Sequence, residues 1–167
     1  ARLGLGVDVH RTGVGRVKIL VGGRDGKPAQ VQIGLSHSNF ANGPAFCAGM
    51  DLDMLQAIAK QSPQENQEDS KRMAKLFRRI WSFPRPIIAA VNGHALAGGC
   101  GIATLCDFTL AVPEACFGYT EVRIGFLPAI VSVFLTRQIG DKRARDLLLT
   151  GRKVSAKEAQ QLGLVSE

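Results

Sequence analysis

Apolar and polar positions alternate along this chain in patterns that fix most of its elements. Ile87 to Val91 is an unbroken apolar run between Pro86 and the turn pair Asn92-Gly93, which predicts a strand buried on both faces. Asp107 to Ala111 alternates toward a second strand. Asn66 to Trp81 has helical spacing, with Met73, Leu76, Phe77 and Ile80 opposite Lys71, Arg72, Lys75, Arg78 and Arg79. Pro84-Arg85-Pro86 stops that helix. Further helices are predicted from Asp51 to Ala59, Ile130 to Ile139 and Asp141 to Leu149. A last one is capped by Ser155, with Glu158 completing a capping box, and ends at Gly163. Ser62 to Glu68, polar and containing Pro63, reads as a loop. Upstream, Val17 to Val21 and Gln30 to Leu35 read as strands joined by the turn-rich GGRDGKPA.

Between the two central strands stand Gly98, Gly99 and Gly101. Glycines are costly inside a helix, but they suit a helix entry where a ligand must touch the backbone. N–H groups at a helix start have no internal partner and carry the positive end of the dipole, so Gly98-Gly99 is a candidate oxyanion cradle. Glu121 follows in a predicted loop, among Phe117, Tyr119, Val122 and Ile124. Apolar surroundings should raise its pKa and suit it to shuttling protons near neutral pH. A second small-residue turn, GPAFCAGMDL, covers Gly43 to Leu52.

Together these segments resemble the crotonase superfamily, the enoyl-CoA hydratases and isomerases. The resemblance rests on AFCAGMDL at Ala45 to Leu52, PIIAAVNGHALAGG at Pro86 to Gly99, CDFTLA at Cys106 to Ala111 and FGYTE at Phe117 to Glu121. It continues through Leu127 to Ala129 and Leu149 to Val165, in the family's order. It implies an α/β fold, a crotonase-like spiral of ββα units with flanking helices, over a core of residues 43–167. It also implies an acyl-CoA thioester as substrate, with coenzyme A as part of that substrate and no resident cofactor or metal. One oxyanion donor then falls at Gly98, beside Gly99. The other falls within Ala48, Gly49 and Met50, in the turn that Asp51 and Leu52 complete, with Asp51 structural. Glu121 matches the family's second catalytic glutamate. The first, which activates water, would stand twenty positions earlier, where this chain has Gly101. A lone glutamate is similar to the Δ3,Δ2-enoyl-CoA isomerases, so hydration and double-bond isomerisation both stay open. Restoring a carboxylate at Gly101 would be expected to favour hydration. Tyr119 is a further group that could help to handle water.

Residues 1–42 form an atypical segment. Strands, an N-R-P-containing segment and a helix that hold the CoA moiety in the family are not visible there. GVDV, RDGKP and GLSHS are similar to pieces of holo-acyl-carrier-protein synthase, but each is short and common. The chain begins with Ala1 and stops after a helix-like segment, so it reads as a fragment without the family's C-terminal assembly helices. The family is homo-oligomeric, as trimers and hexamers; a monomer or weak, ill-defined oligomers with exposed apolar surface are the expectation here. A non-catalytic remnant of the fold is the alternative to an enzyme.

Composition narrows the classes further. A chain of 167 residues with 46% hydrophobic and 21% charged content is long enough for a real core. No apolar run approaches the ~20 residues that span a bilayer, and no signal peptide is read, so the expected location is the cytoplasm. Net charge is +7, but the basic residues are dispersed and no aromatics interleave with them, which argues against nucleic acid. The basic row from Lys71 to Arg79 is a solvated helix face, or a contributor to binding CoA phosphates. Cys47, Cys100, Cys106 and Cys116 form no C-x-x-C pair and read as reduced core thiols rather than zinc ligands. His10, His37 and His94 form no ligand motif, although His94 could line the site from the loop before the glycines. No G-x-S-x-G, P-loop or complete G-x-G-x-x-G is present.

Overall fold

A computed structural model describes residues 18–22, 28–31, 45–49, 56 and 58–167. β1 (Lys18–Gly22) falls on the strand expected at Val17 to Val21 and pairs antiparallel with β2 (Pro28–Val31). β2 begins two residues before the expected Gln30, inside the predicted turn; residues 32–35 of that expected strand lie outside the described residues. Ala45–Cys47 forms β3, and Pro63–Trp81 forms helix α1. The central apolar run is β4 (Ile87–Val91), followed at once by a short strand, β5 (His94–Leu96). The glycines open α2 (Gly98–Leu105), which leads into β6 (Phe108–Ala111) and β7 (Cys116–Gly118). A 3₁₀ helix over Thr120–Ile124 precedes α3 (Ala129–Ile139) and α4 (Asp141–Thr150). β8 (Val154–Ser155) and α5 (Ala156–Leu162) complete the described elements.

These strands make two sheets, ordered β2-β1-β4-β6 and β3-β5-β7-β8. The chain alternates between them. β4 lies in the first sheet, Asn92-Gly93 steps the chain to β5 in the second, and α2 returns it to β6 beside β4. Another step reaches β7 beside β5. Both neighbouring pairs are parallel, with Ile88 opposite Phe108 and Ala95 opposite Phe117. Each unit thus gives one strand to each sheet and then a helix, which is the expected spiral of ββα units. The join between successive units is locked by Asp107, whose carboxylate accepts the Ile87 N–H at 2.7 Å.

The core lies where α2 passes between the sheets and the outer helices. Every residue of α2 after Gly98 is buried, and Phe77 and Ile80 of α1 pack against the same cluster as Val131, Leu135 and Leu147. Burial of that apolar surface, at roughly 25 cal/mol per Å², is the main force holding α2 in place. Outside the core, Ile124, Phe126, Leu127, Val133 and Leu149 keep apolar side chains exposed. Among the described residues, no helix is long and apolar enough to cross a membrane.

Two local expectations are corrected. Ser62 to Glu68 is not a loop: α1 begins at Pro63. Ser62 caps it by accepting the Glu65 N–H, while the Glu65 carboxylate accepts the Ser62 N–H at 2.8 Å. At α5 the cap is real but the box does not close. Ser155 accepts the Glu158 N–H, whereas the Glu158 carboxylate is taken by Arg152 at 2.7 Å. Arg152 also holds Asp146, and a guanidinium fork outcompetes a single backbone donor for a carboxylate. The helix expected from Asp51 to Ala59 falls mostly outside the described residues.

Candidate active site

Ala97 sets the entry of α2. Its φ of 48° and ψ of −127° lie where a side chain is strained, at a cost of about 1–3 kcal/mol. Two bonds hold it there: its N–H donates to the Gly118 carbonyl at 2.8 Å, and its carbonyl accepts the Gly101 N–H at 3.1 Å. The turn that results aims the first N–H groups of α2 away from the helix body, where they have no intrahelical acceptor.

Opposite this turn stands Gly49, at φ +101° just past β3. A Cβ on Gly49 would lie 2.8 Å from the Ala97 Cβ and 3.5 Å from the Gly98 nitrogen, so only glycine fits. A Cβ on Gly98 would meet nothing nearer than the Gly49 Cα, at 4.0 Å. Two glycines far apart in sequence therefore approach each other backbone to backbone. Gly99 does a different job. Its Cβ would overlap the Cys47 carbonyl and lie 2.6 Å from the Cys47 Cβ, so this glycine lets α2 pack directly on β3. Ala48 is exposed beside Gly49. Met50, Asp51 and Leu52 lie outside the described residues.

Glu121 sits in the 3₁₀ helix rather than in a loop, half-buried. Its Oε2 is buried and has no hydrogen-bond partner among the described residues. Burial pushes its carboxyl up from the ordinary range, as its apolar neighbours implied. Its charge also reaches Cys100 in the first turn of α2: burial pushes that thiol up to about 12, and Glu121 adds a smaller push in the same direction. A half-buried carboxyl without a partner among the described residues is thus within electrostatic reach of Cys100, in the helix whose N-terminus faces Gly49.

Several candidates fall away from this centre. Tyr119 has no exposed surface, and its hydroxyl is hydrogen-bonded to Thr104 Oγ1. Burial holds its pKa well above the ordinary value, so it is a neutral core group with no route to water. His94 is exposed and belongs to β5, in register with Ala45, not to a loop over the glycines. Gly101 is buried, and a Cβ there would lie 3.2 Å from Val131 Cγ2 and 3.5 Å from Phe77 Cε2. Gly101→Glu would thus crowd α1 and α3 before it could serve a substrate. Lower thermal stability is the outcome to expect from that variant, since overpacking typically costs about 1–3 kcal/mol. The basic residues of α1 are exposed, and Arg72 pairs within the helix with Glu68 and Asp69. All four cysteines are free thiols, and no three His, Cys, Asp or Glu side chains converge among the described residues. Sequence reasoning passed over Ala97 and Thr104. Nothing in an alanine signals a positive φ, whereas Thr104 stood out as the one polar residue in GIATL.

A family model described as enoyl-CoA hydratase/isomerase matches residues 41–167. A relative from Thermus thermophilus is 51% identical over 124 residues, covering 74% of this chain and 49% of its own length. Crotonyl-CoA hydratase of Syntrophomonas wolfei is 40% identical over 124 residues, or 74% of this chain and 46% of the relative. Among solved structures, an enoyl-CoA hydratase from Shewanella pealeana superposes with a TM-score of 0.72 at 34% identity, over 75% of this chain and 48% of that one. The chain spans about half the length of the relatives it matches.

Proposed function

This chain belongs to the enoyl-CoA hydratase/isomerase family, the crotonase superfamily, and on that premise we propose that it acts on an acyl-CoA thioester through an enolate. The thioester oxygen would enter the gap between Gly49 and Gly98. There it would accept the Gly98 N–H and a second N–H from the stretch Ala48 to Met50. Each such donor is typically worth about 3 kcal/mol once the oxygen carries negative charge. The neutral carbonyl gains less, and that difference between transition state and ground state is what accelerates the reaction.

Glu121 would carry the proton. In hydration of a 2-enoyl-CoA, water adds its oxygen at C3, and C2 becomes part of the enolate. Glu121 takes a proton from that water and returns one to C2. The relatives' names favour this reaction. Migration of a double bond from C3 to C2 is the second reading, and Gly101 is the observation that favours it. With no carboxylate there, one base would lift a proton from C2 and return it to C4. Coenzyme A enters only as part of the substrate.

The observation that carries the proposal is the unpartnered, half-buried Glu121 carboxyl, within electrostatic reach of Cys100 in the helix whose N-terminus faces a second glycine turn. Supplying 2-enoyl-CoA and 3-enoyl-CoA separately divides the readings. Loss of the conjugated enoyl absorbance with the first substrate supports hydration, and its appearance with the second supports isomerisation. A protein inert to both is the non-catalytic remnant.

A further inference from the structure

Resting on that reading, we propose that Tyr119, through its hydroxyl bond to Thr104, is the positioning residue that sets Glu121 against the first turn of α2. Tyr119 is the last residue before the 3₁₀ helix that carries Glu121. That helix has no side-chain cap of its own, so its entry is fixed by what holds Tyr119. Two ties do so. The Gly118 carbonyl accepts the Ala97 N–H at 2.8 Å, at the mouth of α2. The Tyr119 hydroxyl bonds Thr104 Oγ1, and Thr104 Oγ1 also lies 2.9 Å from the Cys100 carbonyl. Tyr119 and Thr104 thus share one hydroxyl–hydroxyl bond, with the Cys100 carbonyl as a further acceptor for Thr104. A continuous chain runs from the Tyr119 hydroxyl through Thr104 to the peptide that follows Gly98 and Gly99.

The geometry couples the two halves of the proposed site. The 3₁₀ helix also packs closely against Gly151, where a Cβ would lie 2.6 Å from Val122 Cγ1. Registry along α2 is shared by the Gly118 carbonyl at Ala97 and the Tyr119 hydroxyl at Thr104. With no exposed surface, Tyr119 cannot trade that bond for water. Tyr119→Phe keeps the ring and its packing and removes the hydroxyl's links to Thr104 and to the Cys100 thiol, both on α2. The segment then gains play, and solvent reaches Oε2 of Glu121.

The test uses carbon-labelled glutamate and a carboxyl NMR titration, with Glu121→Gln identifying the Glu121 resonance. Tyr119→Phe and Thr104→Val should each move the Glu121 titration down toward the ordinary carboxylate range, and Thr104→Ser should restore it. Turnover of enoyl-CoA should fall about 10- to 100-fold in the first two, because small misplacements of a reacting group carry penalties of that size. KM should stay within about twofold, because thioester binding is untouched. A Tyr119→Phe protein whose Glu121 titrates as in the wild type overturns the proposal, even if its melting temperature falls. A wild type inert to both enoyl-CoA substrates, with a Glu121 titration that still moves, leaves the positioning role standing and removes the enzymatic reading.

Discussion

Glu121→Gln should cut turnover by about 100- to 10,000-fold, the range that general acid–base groups contribute, while acyl-CoA still binds. The amide keeps the shape of the side chain but exchanges no proton. A steady-state assay paired with a binding titration checks this, and residual turnover within a few fold of wild type would take Glu121 out of the reaction. The same variant carries a stability signature with a definite sign. Burial raises the carboxyl's folded pKa above its unfolded value of 4.5. Relative to a neutral side chain, wild-type stability is therefore fully present below 4.5 and is lost as pH rises through the higher folded value. Glu121→Gln should melt at or above the wild-type temperature at pH 7, and the gap should close as pH falls toward 4. A variant less stable than wild type at pH 7 would mean that the carboxylate has a partner after all.

Gly98→Val should block the thioester and cost about 100- to 1,000-fold in kcat/KM, comparable to losing an oxyanion donor, with the fold retained. The first carbon of the new side chain meets nothing closer than 4.0 Å, and its two methyls then fill the gap toward Gly49. Gly99→Ala is the contrasting control. There even one methyl overlaps the Cys47 carbonyl, so the loss should appear in folding. Circular dichroism and melting curves beside the kinetics separate the two outcomes. Unchanged turnover in Gly98→Val would remove this glycine from the site. Two adjacent glycines, both read from sequence as one cradle, thus serve different purposes. A Cβ at Gly98 would have room, whereas one at Gly99 would collide with β3.

That division shows where sequence reasoning stops. The two buried strands and their connection through α2 were legible because a continuous apolar run between turn residues admits few alternatives. The spiral came from the family resemblance rather than from periodicity. β5 and β7 have three residues each, too few for any period to show. The start of α1 was misplaced although Ser62, Pro63 and Glu65 spell out a cap, a first-turn proline and a capping box. Their polarity masked the signal. At α5 the same spacing was over-read, because Arg152, distant from any local pattern, claims the Glu158 carboxylate.

At the site, the direction of the Glu121 shift followed from its neighbours in sequence. That Oε2 lacks a partner did not, since it depends on what α2 and the 3₁₀ helix bring near it. The meeting of Gly49 and Gly98 was implied only by resemblance and is now a contact with a geometry. Tyr119 was misjudged for a related reason. A tyrosine beside a glutamate reads as possible chemistry, but its hydroxyl turns inward to Thr104.

The claim that an enolate forms beside Glu121 is tested most directly in deuterated water. Enoyl-CoA is incubated with the protein, and the recovered thioester is read by mass spectrometry and NMR. Deuterium should appear at C2 of the hydrated product, or at C4 with exchange at C2 for the isomerised one, and Glu121→Gln should abolish its entry. Wild-type protein that leaves the thioester unlabelled, or a Glu121→Gln variant that labels it equally fast, would contradict the account.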